Sequence, residues 1–175
     1  KKDSRDEFIF IFGGLGENGK LNDCYKFIPN ESQFFQILPK KPGKDDKEND
    51  AEGENGEKKE EKEQTIPWPA PRASHSVTVH EGKVYLFGGH GGRGYENIIF
   101  KDLWCYNFEN EQWTEIFYKE NPSYPELRTA HTMFVHKNEL YVYGGWNTIQ
   151  GFFSAIKYNF KTNEWGSSNM QLETF

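Results

Sequence analysis

Apolar and aromatic residues in this chain come in short runs that stop at paired glycines. The clearest is KVYLFGG (83–89), and ELYVYGG (139–145) and FIFIFGG (8–14) repeat it. A short apolar run bounded by glycine predicts a β-strand covered on both faces. After each glycine pair comes a variable segment and then a second strand-like run: NDCYKF (22–27), KDLWCYNF (101–108) and SAIKYNF (154–160). Turn residues and a bulky aromatic follow, Phe34 or Phe35 in the first case, Trp113 and Trp165 in the others. Two of the glycine-ended runs are preceded by an alternating stretch, PRASHSVTVHEGKVYLF and LRTAHTMFVHKNELYVY. No 3.6-residue period occurs anywhere, so no helix is predicted.

Gly88 and Gly144 lie 56 positions apart, as do Arg72 and Arg128, and His75 and His131. A fixed period of about 50 residues marks a stacked or closed array of units. One unit reads as four strands, named a to d: His75 to His80, Lys83 to Phe87, about Leu103 to Phe108, and a fourth starting at Trp113. Glu81-Gly82 and Lys137-Asn138 are two-residue hairpin turns favouring positive φ. The first unit lacks strand a, so the count is 3 + 4 + 4 strands. The fold class is all-β: four-stranded antiparallel blades of a β-propeller, packed face to face. Gly88-Gly89 and Gly144-Gly145 end a central strand where a neighbour comes too close for a Cβ. Tyr106 with Trp113, and Tyr158 with Trp165, supply the aromatic bulk between sheets.

The chain has 35% apolar residues but 17% aromatic ones, enough for a core with few aliphatics. Its net charge of −6 is concentrated between Lys44 and Glu63, which hold ten acidic residues and five lysines. No basic stripe remains, which argues against nucleic acid as a partner. No apolar run of membrane-spanning length exists. Cys24 and Cys105 each precede a tyrosine in what read as equivalent strand positions. Such positions in stacked sheets lie too far apart for a disulfide. Two reduced thiols fit cytoplasm or nucleus.

The run Arg-x-x-His, Tyr-x-x-Gly-Gly, a strand with Tyr, then Trp, resembles the kelch repeat, whose period is also about 50. The second unit carries it most fully, PRASHSVTVHEGKVYLFGG…DLWCYNFENEQW. In the third, Ala155 and Ile156 stand for the Asp-Leu pair of the second. In the first, Phe10 stands for Tyr85. On this reading residues 1–39 form an incomplete first blade and 40–66 an acidic, disordered insertion in a d–a loop. Residues 67–117 form a second blade, 118–127 a loop and 128–175 a third blade. Such an insertion is tolerated cheaply, or else attracts a basic partner. Eleven strands cannot close a ring. The expectation is a segment of a larger propeller, completed by further blades of a longer chain or by self-association.

The resemblance implies a protein-interaction or scaffold module that binds a protein or peptide, with actin and the cytoskeleton or ubiquitin-ligase machinery as partner classes. By resemblance, Arg72 and Arg128 in the d–a loops are ligand contacts for acidic peptides, with Ser74 and Thr129 beside them; the alternative is that each arginine ties neighbouring loops together. The b–c loops open on the same rim. They carry His90, Arg93 and Tyr95, then Trp146, Asn147, Phe152 and Phe153, residue types that anchor ligands on loops. Trp146 and the two phenylalanines can instead plug the gap between blades. His75 and His131 read as repeated buried histidines rather than metal ligands, since no further ligands converge with them. His80 and His136 are expected in solvent. The glycines of GGHGGRG lack the helix N-terminus of a phosphate cradle.

No cofactor, metal site or catalytic set is predicted. Adjacent Cys and Tyr on one strand point to opposite faces. They therefore cannot form the cross-link of the copper oxidases that some kelch-type propellers resemble. The alternatives kept open are a segment of a metal-dependent propeller enzyme and a structural subunit of a cytoskeletal assembly.

Overall fold

The computed structural model describes residues 7–39, 66–93 and 96–171. The predicted acidic insertion and Tyr95 fall outside the described residues, apart from Ile66 at the insertion's end. Strands β1 (Ile9–Gly16), β2 (Gly19–Ile28) and β3 (Gln33–Ile37) make a three-stranded sheet. Strands β4 (Ser76–His80) and β5 (Lys83–Phe87) join β8 (Leu103–Asn107) and β9 (Gln112–Ile116) in a second, four-stranded sheet. Strands β10 (Thr132–His136), β11 (Glu139–Tyr143), β12 (Ser154–Asn159) and β13 (Glu164–Gln171) form the third. All pairings are antiparallel, and within the three sheets each joins consecutive strands except β5 with β8, which β6 and β7 separate. The b–c loop of the second sheet holds a small hairpin that the sequence pattern did not signal, β6 (His90–Gly91) with β7 (Ile98–Ile99). Glu81-Gly82 and Lys137-Asn138 all have positive φ, between +47° and +69°, which matches the twist of tight hairpins.

The second sheet is sandwiched. Val84 and Leu86 pack with Phe12, Cys24 and Ile37 of the first sheet. Tyr85 and Phe87 point the other way, into Met133, Leu140, Val142 and Trp165 of the third. All four of these β5 side chains are buried, so both faces of the strand demand apolar residues and no alternation appears in the sequence. Each such side chain contributes about 1.5–3 kcal/mol on burial. β11 is covered on one face only. Leu140 and Val142 are fully buried, while Tyr141 and Tyr143 are half-buried.

The two junctions are built alike. Phe12 sits between His75 and Trp113 of the next sheet, with ring centroids 5.7 and 5.2 Å away. Phe87 sits between His131 and Trp165, at 5.4 and 4.9 Å. The Gly14 N–H donates to the Arg72 carbonyl (2.9 Å) and the Gly89 N–H to the Arg128 carbonyl (3.0 Å). A Cβ on Gly88 would lie 2.5 Å from the Arg128 oxygen and 2.9 Å from His131 Cε1. The paired glycines thus end the strand where the following sheet's Arg-x-x-His segment crosses it.

Strand register settles one sequence alignment and corrects two. Phe27 faces Phe34 as Tyr106 faces Trp113, so Phe34 rather than Phe35 replaces the tryptophan. Cys24 lies opposite Phe12, but Cys105 lies opposite Tyr85, so the two thiols are not equivalent; the counterpart of Cys24 is Leu103. Both cysteines are free. Leu103 pairs with Phe87 as Ala155 pairs with Tyr143, which makes Ser154 the counterpart of Asp102. Facing partners across the sheet, not neighbours along one strand, define equivalence.

The chain enters the second sheet through a hydrogen-bonded anchor on the first. Trp68 Nε1 donates to the Asn22 carbonyl (2.7 Å), Asn22 Nδ2 to that of Pro69 (3.5 Å), and the Arg72 N–H to that of Leu21 (2.9 Å).

Candidate functional site

Arg72 and Arg128 are fully buried. The Arg72 guanidinium forms a two-pronged pair with Asp102, both contacts 2.7 Å, and also donates to the carbonyls of Gly88 and Ala70. Phe100 stacks on it at 4.1 Å. Arg128 repeats the arrangement, with the Gly144 carbonyl at 3.1 Å and Phe152 stacked at 4.1 Å. Ser154 stands where Asp102 stood, so Arg128 pairs instead with the local Glu126 at 2.9 Å. Burial lowers the Arg128 pKa, and Glu126 opposes that shift. The expectation that these arginines present themselves to an acidic ligand is therefore corrected. Their donors are aimed inward at carboxylates and glycine carbonyls, which they tie together.

The neighbours serve the same fastening. Thr129 is buried, and its Oγ1 contacts His90 Nδ1 (3.2 Å) and donates to the Ser74 carbonyl. The Ser74 carbonyl also accepts from the Ala130 N–H, which joins the second and third sheets. Asn147 Oδ1 accepts from the N–H groups of Ile149 and Gln150 and shapes its own loop. Phe152 is buried on Arg128, whereas Phe153 is 83% and Trp146 46% exposed. His80 is half-buried, stacked on Phe160 and bonded to Asn138 (2.7 Å), which corrects its expected solvation; His136 is exposed.

His75 and His131 lie beneath the glycine pairs, and their pKa values fall to about 4. Burial is the main cause, followed by the charge of Arg72 or Arg128. Both imidazoles are neutral at pH 7. Between the ordinary value of 6.5 and about 4, the unfolded chain binds protons that the folded chain refuses. Each histidine thus withdraws up to about 1.4 kcal/mol of stability per pH unit as pH falls through that window. Urea midpoints should drop from pH 7 to 5, with a shallower fall in His131→Gln. Equal slopes in the two proteins would rule the effect out.

The open feature is a groove of about 830 Å³ between the two neighbouring b–c loops. The β1–β2 hairpin lines one side with Leu15 and Lys20, the β6–β7 hairpin the other with Arg93, Glu96 and Ile98, and Pro71 and Phe100 lie between. Leu15 is 76% and Ile98 47% exposed. Of the predicted ligand residues that the structure describes, only Arg93 lines it. Leu15, Lys20 and Ile98 escaped sequence reading because they flank turns without any repeated pattern. Among the described residues, no group of three or more His, Cys, Asp or Glu side chains converges as metal ligands do.

Comparison with known proteins matches residues 3–174 to the KLHDC2/KLHL20/DRC7 Kelch-repeats domain. The chain is 24% identical to Kelch domain-containing protein 10 of Xenopus laevis over 161 residues, covering 90% of this chain and 33% of that protein. It is 36% identical to Kelch-like protein 25 of Xenopus tropicalis over 108 residues, 55% of this chain and 17% of the relative. Human Multiple epidermal growth factor-like domains protein 8 is 26% identical over 171 residues, 94% of this chain and 5% of its own length. The chain thus spans a third or less of each of these relatives. The repeated junctions and this match lead to one conclusion: the chain belongs to the kelch-repeat family of protein-interaction modules and forms an open part of a kelch β-propeller.

Proposed function

We propose that the chain binds a protein partner by holding an extended acidic and apolar segment in the groove between the β1–β2 and β6–β7 hairpins. The observation that carries this reading is the pairing of exposed Leu15 and Ile98 with Lys20 and Arg93 in one groove. Neither cation has an ion-pair partner among the described residues. A carboxylate bridges Lys20 and Arg93 while an apolar side chain covers Leu15 and Ile98. The buried arginines contribute rigidity: they hold the loops in place and leave Arg93 to recognise charge. Trp146, on the following loop, extends the surface.

A displayed peptide library panned against the chain tests this. Enriched peptides should combine Asp or Glu with Leu or Phe, and the Lys20→Glu/Arg93→Glu variant should bind them at least about tenfold more weakly, a loss of about 1.4 kcal/mol. Unchanged binding by that variant would remove the groove from the interaction.

A further inference from the structure

The β1–β2 hairpin ends in the tight turn Glu17-Asn18, closed by the pairing of Gly16 with Gly19. Asn18-Gly19 is the one Asn-Gly pair among the described residues. Asn18 is exposed, and its side chain has no hydrogen-bond partner among them. Other turn asparagines are engaged. Asn107, Asn147 and Asn159 each accept a backbone N–H from two or three residues further on, as asparagine commonly does in turns. That bond holds the side-chain carbonyl away from the next peptide nitrogen. The side chains of Phe108, Thr148 and Phe160 also shield that nitrogen. Gly19 supplies no shield. A Cβ placed on it would meet nothing within 4 Å, and Leu15, one pair further down the hairpin, is 76% exposed. The last rung of the hairpin therefore stands clear of the sheet packing, and local opening there costs little.

We propose that Asn18 is a site of spontaneous deamidation, and that its conversion acts as a timer on the groove. When the rung opens, the Gly19 backbone nitrogen attacks Asn18 Cγ. A carbon–nitrogen bond forms, the Cγ–Nδ2 bond breaks, and ammonia leaves with the proton from Gly19. Water then opens the cyclic imide. Cleavage at Cγ gives aspartate; cleavage at the main-chain carbonyl gives isoaspartate. Asn18, Gly19 and Lys20 all line the groove. Either product adds a carboxylate to the wall that carries Lys20, and offsets the positive charge offered to an acidic ligand. Isoaspartate also adds a methylene to the main chain of the turn. Leu15 and Lys20 face each other across that turn, so the added length disturbs the wall itself. The effect on binding rests on the groove reading above; the chemistry at Asn18 does not.

The test is to hold the folded chain at neutral pH and body temperature for several weeks and follow its tryptic peptides by mass spectrometry. The peptide ending at Lys20 should gain the mass of amide-to-acid conversion and split into aspartate and isoaspartate forms, while Asn107, Asn147 and Asn159 stay amides. Asn18→Gln should keep its mass. An Asn18 that stays an amide while a free synthetic peptide of residues 12–22 converts would overturn the proposal. Conversion at the other turn asparagines at the same rate would do so too. For binding, each protein is compared fresh and aged, against the acidic peptides selected on the fresh chain. Ageing should weaken the parent at least about threefold and leave Asn18→Gln as it was. Equal weakening of both proteins, or none in a fully converted parent, would remove the timer. The Lys20→Glu/Arg93→Glu variant separates the two readings: if it binds as well as the parent, the groove reading fails, and the timer with it, whatever the mass spectra show at Asn18.

Discussion

Gly88→Ala should cost about 3–5 kcal/mol of stability, while Gly144→Ala should cost only about 1–2 kcal/mol. Both residues open a glycine pair, and both have positive φ, +63° and +71°. The backbone cost of alanine is therefore the same at the two sites. The surroundings differ. A Cβ at Gly88 collides with the Arg128 carbonyl and the His131 ring, whereas at Gly144 the nearest atom is the Phe152 carbonyl at 3.8 Å. The Arg128 backbone is pinned by its hydrogen bonds to Gly89 and Phe100, so it cannot step back. Urea unfolding of the two variants measures the contrast. Equal losses would mean that glycine is kept at these sites for φ alone, and that the close approach of the next sheet costs nothing.

The second large effect is expected at Asp102. Asp102→Asn keeps the shape of the side chain but removes the charge opposite a fully buried guanidinium. Breaking one partner of such a pair typically costs about 3–5 kcal/mol, because the remaining charge is left uncompensated. The amide nitrogen also brings a donor to a site already crowded with donors, since Asp102 Oδ2 accepts from both Arg72 and Trp104 Nε1. Glu126→Gln at the corresponding pair of the third sheet should cost only about 1 kcal/mol, since that carboxylate is 35% exposed and screened by water. In a double-mutant cycle, Arg72→Met should recover part of the loss caused by Asp102→Asn. Additive losses would show that the two groups do not act as a pair.

Much of the framework was legible because it depends on local chemistry. The turns at Glu81-Gly82 and Lys137-Asn138, the strand Lys83–Phe87 and the grouping into 3 + 4 + 4 strands all follow from neighbours in sequence. The lack of alternation in β5 correctly signalled a strand with no wet face. The role of Arg72 was harder to read, because its carboxylate partner lies 30 positions away at the foot of β8. Nothing local to Arg72 says whether its guanidinium faces solvent or a buried aspartate. The groove is hidden for a similar reason: Leu15 and Ile98 meet only because two unrelated loops hang over the same junction. The cysteine alignment failed because the two thiols sit two register positions apart on the same face: Cys24 corresponds to Leu103, and Cys105 to Lys26.

The anchor formed by Trp68, Pro69 and Arg72 on Asn22 and Leu21 bears on how this architecture can vary. The path back into the propeller is docked at its destination and does not depend on being led there by the stretch before it. Residues ahead of Trp68 can then be lengthened, shortened or recomposed over evolutionary time without disturbing the angle between the first two sheets. In this family, drift in linker size need not bring drift in ring geometry.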